Sequence, residues 1–75
     1  MTNPASRFTR HELHFYSKSG YIYAVHRATG RAWKIDIDNQ ATRLDGGRYP
    51  TDAYHCGSAD PSDMDDWTDA VNSAI

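Results

Sequence analysis

Three short segments in which apolar and polar residues alternate constrain the fold of this chain more than any other feature. The segments cover residues 11–16, 21–26 and 32–38. In the third, Trp33, Ile35 and Ile37 share one face, because successive side chains of a strand point to opposite faces. Short turns join the segments, the first ending at Gly20 and the second containing Gly30. We therefore expect an antiparallel β-meander with one apolar and one polar face.

The last sixteen residues have the pattern of a capped amphipathic helix. Asp60 suits the N-cap, and Pro61 suits the first helical position, where no backbone donor is needed. The apolar residues that recur at helical spacing are Met64, Trp67, Val71, Ala74 and Ile75. We expect this stripe to cover the apolar face of the sheet. The predicted core consists of Met64, Trp67, Phe15, Trp33 and Ile35.

The predicted fold class is α+β, a small antiparallel meander of three or four strands covered on one face by a C-terminal helix. We expect one domain over residues 1–75. Its predicted parts are a frayed end at 1–6, the meander at 10–44 with a short fourth strand at 41–44, a loop at 45–59 and the helix at 60–75. The single cysteine favours a reducing compartment. No apolar run approaches the length of a membrane span, and no leader opens the chain, so we expect a soluble cytoplasmic monomer.

Charge is distributed unevenly along the chain. Residues 1–34 hold six Lys or Arg and one acidic residue, a net charge of +5. Residues 35–75 hold two Arg and nine Asp, a net charge of −7. A fold that keeps these halves apart would be electrically polar and could meet a basic partner with one side.

Five aspartates fall within residues 60–69 without a Lys or Arg among them. Several are like-charge neighbours on one helix, each pair costing roughly 0.2–0.5 kcal/mol. Helix stability alone would not select them, so we interpret the cluster as an acidic contact surface. The alternative is a tail that only keeps a small protein soluble. Asp36 and Asp38, on the polar face of the third strand, would extend the surface. The predicted partner-binding residues are Asp36, Asp38, Asp60, Asp63, Asp65, Asp66 and Asp69.

The spacing of these carboxylates is close to that of phosphates in DNA. Along a helix axis, five charges over residues 60–69 are roughly 3.4 Å apart on average, and one strand of duplex DNA carries a phosphate about every 3.4 Å. With its Asp60–Asp69 cluster on a miniature domain, the chain resembles the type I anti-CRISPR inhibitors of phages and mobile elements, which share no common motif. The resemblance implies a protein of the infected bacterial cytoplasm that binds a Cascade-type CRISPR effector, fills its basic groove and blocks target DNA. The excess of basic residues in the first half departs from the most acidic DNA mimics. We therefore expect only one face of the molecule, not the whole of it, to imitate DNA.

Other chemistry is poorly supported. The zinc-type ligands His11, His14, His55 and Cys56 are spaced so that neighbours on a strand diverge, and we expect no metal or other cofactor. Asp36-Ile-Asp38-Asn39 opens like a calcium loop but lacks the following glycine and distal glutamate. Adjacent His55 and Cys56 do not form an activated nucleophile, so no enzyme is expected.

The aromatic sheet face offers a second kind of function. Tyr16, Tyr21 and Tyr23 could serve a generic protein-interaction module, such as a toxin-neutralising or assembly partner. With nearby basic residues they could also stack nucleic-acid bases. The acidic second half would repel a polyanion, so we expect no direct nucleic-acid binding.

Overall fold

A computed structural model describes residues 8–56 and 59–74. Its strands are β1 (His14–Lys18), β2 (Tyr21–His26), β3 (Arg31–Ile35), β4 (Ala41–Arg43) and β5 (Tyr54–His55). A 3₁₀-helix (Asp45–Gly47) follows β4, and the helix α1 (Pro61–Ser73) follows β5. The sheet has the order β4-β3-β2-β1-β5, with every neighbouring pair antiparallel. The predicted α+β meander with one C-terminal helix is confirmed, and a fifth strand is added. The predicted frayed end at 1–6 lies outside the described residues.

The first hairpin is closed by two residues with left-handed backbone. Ser19 has φ 53° and Gly20 φ 83°, between the paired residues Lys18 and Tyr21. Positive φ at both central positions belongs to the turn whose twist matches that of the flanking strands. Because the turn consists of Ser19 and Gly20 only, β1 continues to Lys18, whereas the sequence predicted a strand over 11–16.

The chain before β1 forms a turn instead of strand. The Glu12 carboxylate accepts hydrogen bonds from the backbone N–H and hydroxyl of Thr9, and the Glu12 N–H donates to the Thr9 carbonyl. These local bonds compete with strand pairing over residues 9–12. Leu13 and Phe15 are nevertheless both buried, as their alternation predicted.

The third strand ends at Ile35, three residues before the predicted end. The Asp36 carboxylate accepts hydrogen bonds from the N–H groups of Asp38 and Gln40, which closes a turn. Asn39, with φ 60°, completes the reversal into β4. Ile37 is therefore 94% exposed, and its predicted place on the apolar face is wrong. An aspartate that bonds to its own following backbone stops the alternation.

The core lies between the sheet and α1. Its buried members are Leu13, Phe15, Ala24, Trp33, Ile35, Ala70 and Val71. Trp67 and Met64 are half-buried against this cluster, and the Trp67 ring lies 5.2 Å from that of Phe15. The predicted apolar stripe is thus confirmed at these helix positions. Ala74 is exposed, contrary to the prediction, because α1 has already ended there. Ile75 lies outside the described residues.

Residues 44–53 cross the second face of the sheet. They connect β4 at one edge to β5 at the other, and α1 occupies the opposite face. The Tyr49 ring stacks on Tyr16 at 5.1 Å. Tyr23, the cross-strand partner of Tyr16, is only 8% exposed. We call residues 44–53 the crossing segment. The predicted loop at 45–59 thus includes a 3₁₀-helix and the short strand β5, and the prediction of a single covered face is corrected.

Candidate functional site

Two of the five aspartates in the predicted cluster at residues 60–69 are engaged within the molecule. The Asp60 carboxylate accepts hydrogen bonds from the Ser62 N–H at 2.9 Å and the Ser62 hydroxyl at 2.7 Å. These bonds hold the pKa of Asp60 below its usual value. Asp65 pairs with the Nη1 atom of Arg10 at 3.2 Å and keeps a largely exposed side chain. Asp60 therefore caps α1, and part of the Asp65 charge is neutralised.

Asp36 and Asp38 were predicted to lie on the polar face of the third strand. This prediction is wrong, because β3 ends before them. Asp36 builds the turn described above, whereas Asp38 is exposed within it. The turn lies beside the helix, since the Asn39 side-chain amide donates to the Asp66 carbonyl at 3.1 Å. The two aspartates thus have different roles, and Asp38 is the one available to a partner.

Three aspartates remain on the outer side of α1. Asp63, Asp66 and Asp69 are exposed, and none forms an ion pair with another described residue. We call them the aspartate row. They are three residues apart, so the axial step is about 4.5 Å, and neighbouring Cβ atoms are about 5–6 Å apart. The five-charge array of the sequence, with its 3.4 Å mean spacing, is reduced to a sparser row.

A shallow cleft of 360 Å³ lies between the row and the β3–β4 turn. Its lining residues are Asn39, Gln40, Ala41, Asp69, Ala70, Ser73 and Ala74. The side chains it presents are mostly amide, hydroxyl and carboxylate groups. A partner that contacts Asp69 can thus also hydrogen-bond to the turn.

The tyrosines of the alternative function are largely occupied. Tyr23 is buried, and the Tyr16 hydroxyl accepts a hydrogen bond from Arg27 at 2.7 Å while its ring stacks on Tyr49. Tyr21, 37% exposed, is covered by the Lys34 ammonium 3.9 Å from its ring centre. Tyr54 on the edge strand β5 is 83% exposed and was not among the predicted residues. Its signal was absent from the sequence because the two residues of β5 are too few to show alternation.

The four residues of zinc-ligand type, His11, His14, His55 and Cys56, do not form one group. Among residues 8–56 and 59–74, no three His, Cys, Asp or Glu side chains form a group that could hold a metal ion. His14 and His55 lie on one sheet face, with ring centres 6.1 Å apart. His11 lies in the turn before β1. Cys56 packs against the core, and burial raises the pKa of its thiol. The described part of the chain also contains no helix long and apolar enough to cross a membrane.

Sequence reasoning missed the grouping of His14 and His55 with Arg27. β5 is the element that brings His55 beside β1, through its pairing with Tyr16. The Arg27 side chain reaches the same place from the end of β2. Only the order of strands across the sheet shows this cluster, because its members are far apart in the chain.

Comparison with known proteins identifies no relative. No protein-family model matches the chain, and no curated protein or solved structure matches it either. Any function must therefore be argued from the residues and their geometry.

Proposed function

We propose that this protein is an inhibitor that binds a Cascade-type CRISPR effector in the cytoplasm of an infected bacterium. Its acidic helix face would occupy the basic groove that receives target DNA. The aspartate row, with Asp38 and the partly paired Asp65 at its sides, would meet Arg and Lys side chains of that groove. The protein would act as a monomer, without a cofactor.

The observation that carries this proposal is the exposure of Asp63, Asp66 and Asp69 without an intramolecular cation among the described residues. A like-charged row raises the energy of an isolated helix, and a basic partner would remove that cost. The helix is held rigidly, because its other side packs into the core through Ala70 and Val71. A preformed surface loses little conformational freedom on binding.

Replacement of the three aspartates of the row by asparagine tests the proposal. The variant Asp63→Asn/Asp66→Asn/Asp69→Asn keeps side-chain size and changes the net charge by +3. A close interfacial charge pair is worth upwards of about 1.5 kcal/mol in well-studied complexes. We therefore expect the triple variant to inhibit target-DNA binding by a purified Cascade-type effector at least 100-fold less strongly. Inhibition is measured by gel shift at fixed salt.

A matched control separates local charge from net charge. Ala28→Lys/Thr42→Lys/Thr51→Lys also adds three positive charges, at exposed positions away from the row. It should inhibit within about threefold of the wild type, with a small loss from reduced electrostatic steering. Equal inhibition by the wild type and the asparagine variant, both shown to be folded by circular dichroism, would refute the proposal.

The alternative function is a generic protein-interaction module, predicted to use the aromatic sheet face, and the exposed aromatics left to it are Tyr21 and Tyr54. Tyr21 lies on the face of Tyr16, whereas Tyr54 pairs with Ser17 at the sheet edge and belongs to the side of Phe15. The 83% exposure of Tyr54 at a sheet edge favours it, because exposed aromatics often dominate binding energy. Tyr54→Ala with Tyr21→Ala in the same assay distinguishes the two surfaces. Loss of inhibition in this variant, with inhibition retained in the asparagine variant, assigns binding to these exposed aromatics, and the two single variants then show which of them carries it.

A further inference from the structure

A compact group of hydrogen-bond donors lies on the sheet face opposite α1. Its members are His14 on β1, His55 on β5, and Arg27 after β2. The His55 ring lies 6.1 Å from that of His14 and 5.2 Å from that of Tyr16. The Arg27 Nη2 atom donates to the Tyr16 hydroxyl at 2.7 Å, which holds the guanidinium on the same face of the sheet as the two imidazoles. We call these three residues the basic cluster.

No carboxylate neutralises the basic cluster within the part of the chain that the structure describes. None of its members takes part in an ion pair there. Burial lowers the pKa of His14, and the charges of Arg27 and then of His55 lower it further. The other charged groups at this edge, Lys18 and Asp52, pair with each other at 2.6 Å. The cluster is thus a locally uncompensated source of positive charge.

The three side chains remain accessible to a ligand. Arg27 and His55 are exposed, and His14 is half-buried. The hydrogen bond to Tyr16 uses one of the five guanidinium N–H groups, so the others can reach an anion. Arginine and imidazole donors on a fixed support are the groups that bind phosphate oxygens in proteins.

A cation is a poorer occupant of the same place. Two imidazoles are too few for a closed zinc site, which takes four ligands, and no third metal ligand joins them among the described residues. The guanidinium of Arg27 would repel a divalent ion. An anion, by contrast, gains from all three groups.

We propose that Arg27, His14 and His55 form a binding site for a phosphate group. It lies on the face opposite the acidic helix and does not depend on the function proposed above. Arg27 supplies permanent charge, and each histidine that takes up a proton adds one charge and one donor. A bound dianion favours the protonated form of an adjacent imidazole, so affinity for the dianion should increase as pH falls.

Nuclear magnetic resonance of the histidine Cε1–H signals tests this site in the full chain. Inorganic phosphate is titrated at pH 6 and pH 8 against sodium chloride of equal ionic strength. Affinity is expressed per phosphate dianion, because phosphate itself takes up a proton between these two pH values. We expect saturable shifts of His14 and His55 with phosphate alone, and affinity at least about threefold higher at pH 6. Arg27→Gln should weaken binding about tenfold, because the variant lacks the permanent charge and its charge-assisted hydrogen bonds to the anion.

Matched variants and probes decide the outcome. Arg43→Gln, which removes an exposed arginine from β4, should bind phosphate like the wild type. His14→Gln should reduce the pH dependence, because one of the two imidazoles is removed, while its β1–β2 amide signals stay in place. A short single-stranded oligonucleotide forms a second arm, in which the same Arg27 dependence would identify nucleic-acid phosphodiesters as the source. Shifts that chloride reproduces, equal effects of the two arginine variants, or saturation by zinc but by neither phosphate probe would overturn the proposal.

Discussion

At the scale of single residues, two adjacent glycines of the 3₁₀-helix have the same backbone conformation, but only one of them lies in close contact with the backbone of another segment. Gly46 and Gly47 both have φ 67°, which any L side chain adopts at a cost. A Cβ at Gly47 would overlap the carbonyl oxygen of Gly30, whereas one at Gly46 would meet only the flexible Arg48 side chain. The crossing segment thus lies directly on the β2–β3 turn.

We predict that Gly47→Ala lowers the free energy of unfolding by about 1–3 kcal/mol more than Gly46→Ala. Both variants share the cost of positive φ, so their difference reports the clash with Gly30. Urea denaturation followed by tryptophan fluorescence measures it. Equal destabilisation would mean that the crossing segment does not lie against the turn.

The capping aspartate gives a prediction for pH. The hydrogen bonds from Ser62 lower the pKa of Asp60, so its ionised form is favoured in the folded state. The resulting stabilisation is present above the unfolded pKa of about 3.9 and is lost as pH falls through the lower folded value. Asparagine caps a helix equally well without titrating. Between pH 6 and pH 2.5 the melting temperature of the wild type should therefore fall about 4 °C further than that of Asp60→Asn. An equal fall in melting temperature for the wild type and Asp60→Asn over this pH range would contradict this role.

The sequence allows some of these residue roles to be predicted. Pro61 after Asp60 indicates a capped helix start, and Gly20 indicates a positive φ. Asp36 gives no such indication, because the same carboxylate fits an exposed strand position or a turn. Its two backbone hydrogen bonds depend on the chain reversing at Asn39, which periodicity does not encode.

At the scale of elements, regular patterns were informative and short pairings were not. β2 and β3 and the buried side of α1 follow from alternation and helical spacing. β5 has only two residues, and its pairing with β1 depends on a connection that crosses the whole sheet. Such a long-range pairing leaves no local signal, so the second covered face and the basic cluster could not be predicted.

The Asn72 side chain of α1 binds the segment before β1 at Phe8, in addition to the ion pair of Arg10 with Asp65. The Asn72 carbonyl oxygen accepts from the Phe8 N–H at 2.8 Å, and its amide donates to the Phe8 carbonyl at 3.0 Å. The Phe8 ring then packs 5.3 Å from that of Trp33. We predict that Asn72→Ala lowers the free energy of unfolding by about 1–3 kcal/mol, because both backbone groups lose their partner.

Ser73→Ala is the control for this prediction, since it changes the neighbouring exposed position of the same helix turn. It should alter stability by less than about 0.5 kcal/mol. Hydrogen exchange at the Phe8 amide should accelerate in Asn72→Ala alone. Unchanged exchange would show that other contacts hold this segment.

At the scale of the whole molecule, the fold mixes the basic and acidic halves only in part. Arg10 pairs with Asp65, and Lys18 with Asp52, each joining the two halves of the chain. The aspartate row and the basic cluster stay on opposite sides of the sheet. The sequence therefore predicted the charge asymmetry and the acidic helix. It could not predict which aspartates form ion pairs or caps, because that depends on where the chain brings its arginines.

The account depends on the aspartate row occupying the place of DNA. A competition titration tests this most directly, with a purified Cascade-type effector, labelled target duplex and increasing amounts of this protein. If the two compete for one groove, the concentration of protein that gives half-maximal inhibition rises in proportion to the DNA concentration once DNA is in excess of its Kd. Half-maximal inhibition at a concentration independent of DNA, or no inhibition at any concentration, would contradict the account.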